Sequence, residues 1–422
     1  MHLEAERYRK NYWLLVLEGM FFMGATGFFN TNTVIPVFVN MMTDSKQLVG
    51  LAITLASFFM YFCRLLIGPF MPHVRNHARF STVLMFSLRP LLLFPAFFIF
   101  TGLDRASVII LIVAYVALWA CDGLVVPAWS EVLSNTIDEN RHGRLLGWQM
   151  LLGGFAGIGA GVLINVFLAN PHMNIKNAYG WIFLIGGVFA TLSCVMMMFV
   201  KNAPVPYKTG KANFLGYFAD LPKYLKLEMD FTKMMVIQFL FLSASMCIPF
   251  IILYCTDTLK TPQNTVASLI LVQSVGVPLG GWLWGFICDR IGSHNGLKLA
   301  GFNILLPALI SLLALVFKGI APMIFMFPVI LLAGITAGIW TCYYVYTIQA
   351  VRPESRSACL VLSSVITLPT AFTGYLAGYI AEQYGFVALF VICIALASAG
   401  MVLSLKLRSV QEIKNERTQS DG

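Results

Sequence analysis

Twelve apolar stretches, each long enough to cross a bilayer and joined by short polar connections, take up most of the 422-residue chain. A helix needs about 20 predominantly apolar residues to cross the hydrocarbon core. Helices also satisfy their own backbone hydrogen bonds there, where water cannot. The stretches fall at roughly 12–40, 48–72, 80–101, 107–134, 145–169 and 179–201, then at 231–255, 264–288, 296–317, 322–350, 357–381 and 386–407. Those that exceed 25 residues imply tilt or extension beyond the bilayer. Composition agrees: 59% of residues are hydrophobic and 11% charged, against about a quarter charged in a soluble domain. The fold class is therefore an all-α polytopic membrane protein with twelve transmembrane helices.

Charge placement orients the bundle. The termini and the even-numbered connections hold 21 of the 28 Lys and Arg, so both termini are expected in the cytoplasm of a multi-pass cell membrane protein. The same bias accounts for the net charge of +9 without a nucleic-acid partner. Met1–Lys10 reads as a charged tail, and the apolar run after it lacks the small-residue cleavage site of a signal peptide. All nine Cys lie in or beside apolar spans with no Cys-x-x-Cys, and no His has metal-ligand spacing. No metal and no cofactor are expected, and there is no phosphate-binding Gly-x-x-x-x-Gly-Lys-Ser/Thr loop.

The chain divides into residues 1–201, a polar linker at 202–230, and residues 231–422. In the linker, Phe214, Tyr217, Phe218, Leu221, Tyr224 and Leu225 recur at helical spacing, which predicts a helix lying on the membrane surface. The flanking parts correspond at an offset of 217 residues: Val49–Ile53 matches Val266–Ile270, and Gly68 matches Gly285. Internal repeats of this kind underlie alternating access in secondary transporters.

The end of the eighth span reads Gly285-Phe286-Ile287-Cys288-Asp289-Arg290-Ile291-Gly292. This resembles the Gly-x-x-x-Asp-Arg-x-Gly signature of the major facilitator superfamily, in the place where that family carries it. Pro127-Ala128-Trp129, then Arg141-His142-Gly143-Arg144 and Gly147, look like the family's fourth-helix exit, and Arg64 before Gly68 fits its second helix. The resemblance covers essentially the whole chain. It implies two pseudo-symmetric six-helix bundles, a cavity between the first, fourth, seventh and tenth spans, and a conformational latch at Gly285, Asp289, Arg290 and Gly292. The first-half copy departs from the pattern, with Pro72 where the acidic residue should stand, and its role as a latch stays open. The fifth span has five glycines but lacks the Gly-Pro pattern of the family's drug/proton antiporters.

Ionisable groups at membrane depth cost about 2.5–3.5 kcal/mol each on insertion scales. Glu18, Arg64, Arg89 and Asp122 lie deep in the first half, and the second half has no counterpart. Counting the helical rise puts Asp122 and Arg89 roughly 18 and 15 Å from the same end of adjacent spans, so these two are expected within pairing reach. Asp122 is the expected proton-responsive carboxylate, with Arg89 or Arg64 as alternating partner; a static pair fixing packing is the other reading. The expected cavity wall comprises Asn30, Asn32, Tyr115, Trp119, Gln238, Gln273, Trp340, Tyr343 and Tyr344, with Thr336 and Thr347 on the same tenth-span face. Aromatics with few polar groups suit a small amphipathic or ring-bearing solute.

The expected function is secondary active transport of such a solute by alternating access, coupled to protons, in a protein that works as a monomer among membrane lipids. A lipid or lysolipid flippase of the same fold, and a receptor or sensor on a transporter scaffold, remain alternatives. An intramembrane enzyme lacks support, since no His-Glu-x-x-His, Gly-x-Ser-x-Gly or deep histidine is present.

Overall fold

Helices run end to end, and their interruptions coincide with prolines, short polar turns or, in the tenth span, the glycine-containing turn Ala337–Ile339. The computed structural model describes residues 2–137, 139–201, 222–314, 321–352 and 355–420, and no strand occurs among them. The first span is His2–Phe28 followed, after a turn, by Val34–Thr43. Lys46–Ile67 is the second, and the third is His77–Leu88, a tight turn at Arg89–Leu93, and Phe94–Phe100. Asp104–Thr136, Glu139–Leu168 and Ile175–Met198 complete the first half.

The seventh span joins Met229–Ala244 to Ile248–Asp257. Gln263–Ile291 and Ser293–Leu313 follow as the eighth and ninth. The tenth joins Ala321–Thr336 to Trp340–Ala350, and the eleventh joins Arg356–Thr367 to Thr373–Gln383. Gly385–Ser404 is the twelfth, followed by a polar helix Val410–Ser420. Ten of the twelve are long and apolar enough, taken alone, to cross a membrane. The other two are the first, which carries Glu18, and the eleventh, which is rich in Ser and Thr.

Two sequence expectations change here. The first helix runs back to His2, so the charged segment before Asn11 continues the span rather than trailing as a tail. Most of the predicted surface helix, residues 202–221, lies outside the described residues. Beyond it Pro222–Leu227 is helical, and Tyr224 and Leu225 pack against the core of the second half.

The apolar core has a revealing distribution. Near the termini it splits in two: Tyr12, Leu15, Val16 and Val125 belong to a first-half cluster, and Phe231, Met234, Trp284 and Tyr346 to a second-half cluster. At the opposite end one cluster takes residues from both halves, including Val37, Val49, Ile251 and Phe390. The halves are thus fused at the far end and parted at the end that carries the termini.

Small residues set that fusion. A Cβ on Gly50 of the second span would collide with the carbonyl oxygen of Gly374 in the eleventh, and one on Gly378 with that of Lys46. Close backbone approach of this kind is the usual work of Gly-x-x-x-Gly pairs in membranes. The N–H of Tyr375 then donates to Thr54 Oγ1 at 2.7 Å across the junction. Lys46 pairs with Asp257 at 3.0 Å, and Glu382 accepts from the Gln47 N–H at 2.9 Å. Within the second half, Gly276 and Gly280 nest against Gly334, Ile335 and Gly338, whereas Gly281 and Gly285 face open space.

Candidate transport cavity

Arg89 owes its position to the residue that follows it. Pro90 cannot donate to the helix, and the third span tightens into the turn Arg89–Leu93 at this point. The guanidinium enters the bundle, where Nη1 donates to Glu18 Oε1 at 3.1 Å and to Ser193 Oγ at 2.6 Å. It also lies 4.5 Å over the Phe22 ring centroid. Ser193 passes its own proton to the Ala190 carbonyl at 2.7 Å, and Trp129 Nε1 donates to Glu18 Oε2 at 3.2 Å. Four spans therefore converge on one enclosed ion pair, whose side chains are 3% and 5% exposed.

The second pair is built differently. Gly123 lets the fourth span approach the second so closely that a Cβ there would strike the Met60 carbonyl. That contact brings Asp122 Oδ2 to 3.4 Å from Arg64 Nη2, the one hydrogen bond of either side chain among the described residues. The Arg64 side chain is 32% exposed and the Asp122 side chain 14%, and Arg64 Nε has no partner. The expected Asp122–Arg89 pair does not form. Each arginine meets the other carboxylate, because the azimuth of each helix, not depth along it, decides which side chains face one another.

Both pairs line a cavity of about 700 Å³ between the halves. Its residues come from the parts of the spans nearer the termini, on the side where the core is split. The first half supplies the four ionisable groups together with Trp119, Trp129 and Tyr61. Opposite them stand Gln238, Trp340, Tyr343, Tyr344 and Thr347, with Ser363, Ser364 and Thr367 from the eleventh span. Trp340 and Tyr344, 54% and 48% exposed, form an open aromatic pair with ring centroids 6.2 Å apart.

Five predicted wall residues lie elsewhere. Tyr115 is buried, with its hydroxyl 2.5 Å from Thr31 Oγ1. Asn30 accepts from the Asn32 and Thr33 N–H groups at 2.9 and 3.1 Å, which shapes the turn between the two helices of the first span. Gln273 is 1% exposed, packed where the eighth and tenth spans meet. Asn32 lines a separate chamber of about 280 Å³, as does Thr336. Sequence reasoning missed Tyr61, Gln149 and Ser193. Tyr61 was within reach, since it lies three residues before Arg64 on one helix face. Gln149, which donates to the Leu15 carbonyl at 2.7 Å, left no such signal.

The signature segment sits at the open end. Gly292 has φ +87°, a backbone conformation that favours glycine, and makes the turn between the eighth and ninth spans. Asp289 and Arg290 are exposed, and among the described residues Asp289 has no hydrogen bond or ion pair. Arg290 lies 5.5 Å over its own span's Phe286 ring. The side chains of Pro72, Arg141 and Arg144 lie outside the described residues.

A family model described as Major Facilitator Superfamily matches residues 20–358 and 234–421. The chain belongs to the major facilitator superfamily. Solved structures share the fold over nearly the full length. The nucleoside transporter NupG matches at TM-score 0.64 and 13% identity, covering 96% of this chain and 98% of that one. A D-xylose-proton symporter matches at TM-score 0.68 and 13% identity, covering 95% and 98%. A bacterial homologue of the human lysosomal transporter Spinster, inward-facing and unoccupied, matches at 0.63 and 14%, covering 96% and 97%. No curated protein sequence matches the chain. Membership makes this superfamily protein a multi-pass membrane transporter and not an enzyme.

Proposed function

We propose that this superfamily member is a secondary active transporter that carries a small ring-bearing organic solute by alternating access, coupled to protons through Asp122. One observation carries the reading: two ion pairs share a cavity wall, and only Arg64–Asp122 is held by a single long contact and open to the cavity. A proton on the Asp122 carboxylate removes its charge and frees Arg64. Glu18–Arg89, held by Ser193 and Trp129, stays paired and keeps the first half rigid. The symporter among the similar structures is in keeping with such coupling.

In this reading residues 1–201 and 231–422 rock as two bodies about the solute. The charge bias supports termini in the cytoplasm, and in this reading the cavity faces that side. To expose the other side, the Gly50–Gly374 contact and the Lys46–Asp257 pair must separate, and Asp289 of the signature must find its partner as the open end closes.

Purified protein in proteoliposomes tests this directly. Solute accumulation should follow an imposed pH gradient in the native protein. Asp122→Asn should lose gradient-driven accumulation while keeping solute exchange. Full gradient-driven accumulation by Asp122→Asn would remove Asp122 from the coupling role.

A further inference from the structure

The four ions of the main cavity balance: two carboxylates face two guanidiniums, each within 3.4 Å of its partner. With all four ionised, a charged solute meets a wall with no spare counter-ion, and the enclosed Glu18–Arg89 pair is costly to split. A proton on Asp122 leaves Arg64 over, but an anion held there would still have to enter the second chamber, whose lining offers it no charge. Among the described residues, Arg64 Nε and Arg89 Nε, each on a guanidinium already paired with a carboxylate, are buried without a further partner. Trp119 Nε1 and Gln238 Oε1 are buried without a partner, one a donor and the other an acceptor.

The path beyond the cavity repeats the message. The chamber of about 280 Å³ shares Tyr61 with the main cavity and reaches toward the sealed end, with Gly374 in its wall. Its lining contains no Asp, Glu, Lys, Arg or His. It is rich in hydroxyls, and most of their protons are already spent. Ser245 donates to the Phe241 carbonyl at 2.8 Å, Thr370 to Thr367 at 2.6 Å and Thr373 to Thr370 at 2.6 Å. In the main cavity Thr347 and Thr367 do the same, to Tyr343 at 2.9 Å and Ser363 at 2.7 Å. A hydroxyl that donates to its own helix still has lone pairs to offer. The second chamber therefore presents more acceptors than donors to whatever passes.

We infer that the solute crosses as a net-uncharged molecule rich in O–H or N–H donors, a nonionic ring-bearing polyol or amide, and that it passes Tyr61 from an ion-balanced chamber into an ion-free one. The inference rests on the transport reading above and narrows its substrate class. The aromatic pair Trp340 and Tyr344 takes the ring face, and the acceptor-rich hydroxyls take the donors. A cation, an anion or a zwitterion finds no compensating charge in the second chamber.

Purified full-length protein should be titrated with ring-bearing probes of matched size and differing charge. Phenyl glucoside and uridine are nonionic, phenylalanine is a zwitterion, phenethylamine a cation and 3-phenylpropanoate an anion. The nonionic probes should quench tryptophan fluorescence and raise the melting temperature. Trp340→Leu should weaken their binding about tenfold, the scale of a lost stacking contact with its neighbours. Ser57→Ala with Asn32→Ala, both in the second chamber, should leave quenching intact and slow exchange of radiolabelled uridine across proteoliposomes by about tenfold.

Tighter Trp340-dependent binding of any ionic probe overturns the substrate class while leaving transport standing. Failure of both nonionic probes to bind also overturns it, as does undiminished exchange in the Ser57/Asn32 variant. If probes bind but neither they nor any other solute exchange across the membrane, the transport reading itself falls.

Discussion

Two ion pairs on the same wall differ in what surrounds them more than in length. Glu18–Arg89 measures 3.1 Å and Arg64–Asp122 3.4 Å. The first is sealed by four spans, with a serine and an indole N–H bonded to it and a phenyl face over the guanidinium. The second has one hydrogen bond and an edge on the cavity. A buried pair with satisfied partners resists loss of either member, because the survivor is left uncompensated. A partly open pair gives up little when broken, since water can take over. The contrast teaches that intramembrane charges need not share a role. One pair is enclosed, and the other is open at its edge.

The sharpest way to break this comparison is to remove one member of each pair. Arg89→Ala should destabilise the protein by about 3–5 kcal/mol, because it strands Glu18 in an enclosed site. The melting temperature in detergent checks this, and Glu18→Gln combined with Arg89→Met should recover most of the loss. If Arg89→Ala melted like the native protein, the static role would be wrong. Asp122→Asn should cost about 1 kcal/mol or less in stability. Its effect belongs in transport, where the pH dependence of uptake should flatten across the range in which the native protein responds.

Smaller effects sharpen the matching contrast between the two ends of the bundle. Gly50→Leu puts a side chain into the Gly374 backbone and should force the sealed end apart. A cysteine introduced at Ser57 should then label several-fold faster with a membrane-impermeant thiol reagent applied from that side, as expected of a population shift of about 1 kcal/mol. Unchanged labelling would mean that the glycine contact does not control closure. Lys46→Ala removes a partly exposed pair with Asp257, worth about 0–1 kcal/mol. Labelling of the same cysteine should rise about fivefold at most.

Much of the fold was legible in the residues, and the reasons are physical. Hydropathy is a sum over a local window, so the spans can be counted without knowing what they touch. The glycine in the left-handed region at Gly292 was legible because a tight turn between two long helices leaves few alternatives. Trp119, Gln238, Trp340, Tyr343 and Tyr344 all line the main cavity, as their spans and helical faces implied. Asn30 and Tyr115 misled for one reason: a polar group on a central span can turn inward to cap or brace its own half. Gln273 misled for a different reason: the eighth span turns that face toward the glycines of the tenth, and the side-chain oxygen is buried without a partner among the described residues.

The order of apolar and charged residues along the chain was enough to determine a twelve-span membrane protein with its deep charges confined to one half. The motif Gly285–Gly292 carried the resemblance to the transporter family, and helical faces marked most of the aromatic wall. Only the tertiary structure decided that Arg89 meets Glu18 and Arg64 meets Asp122, which end of the bundle is sealed, and that two chambers meet at Tyr61. Depth in a membrane is a property of one helix and can be counted. Partnership depends on how neighbouring helices are rotated and how closely they approach, which a proline beside Arg89 and glycines at 50, 123 and 374 settle through contacts distant in sequence.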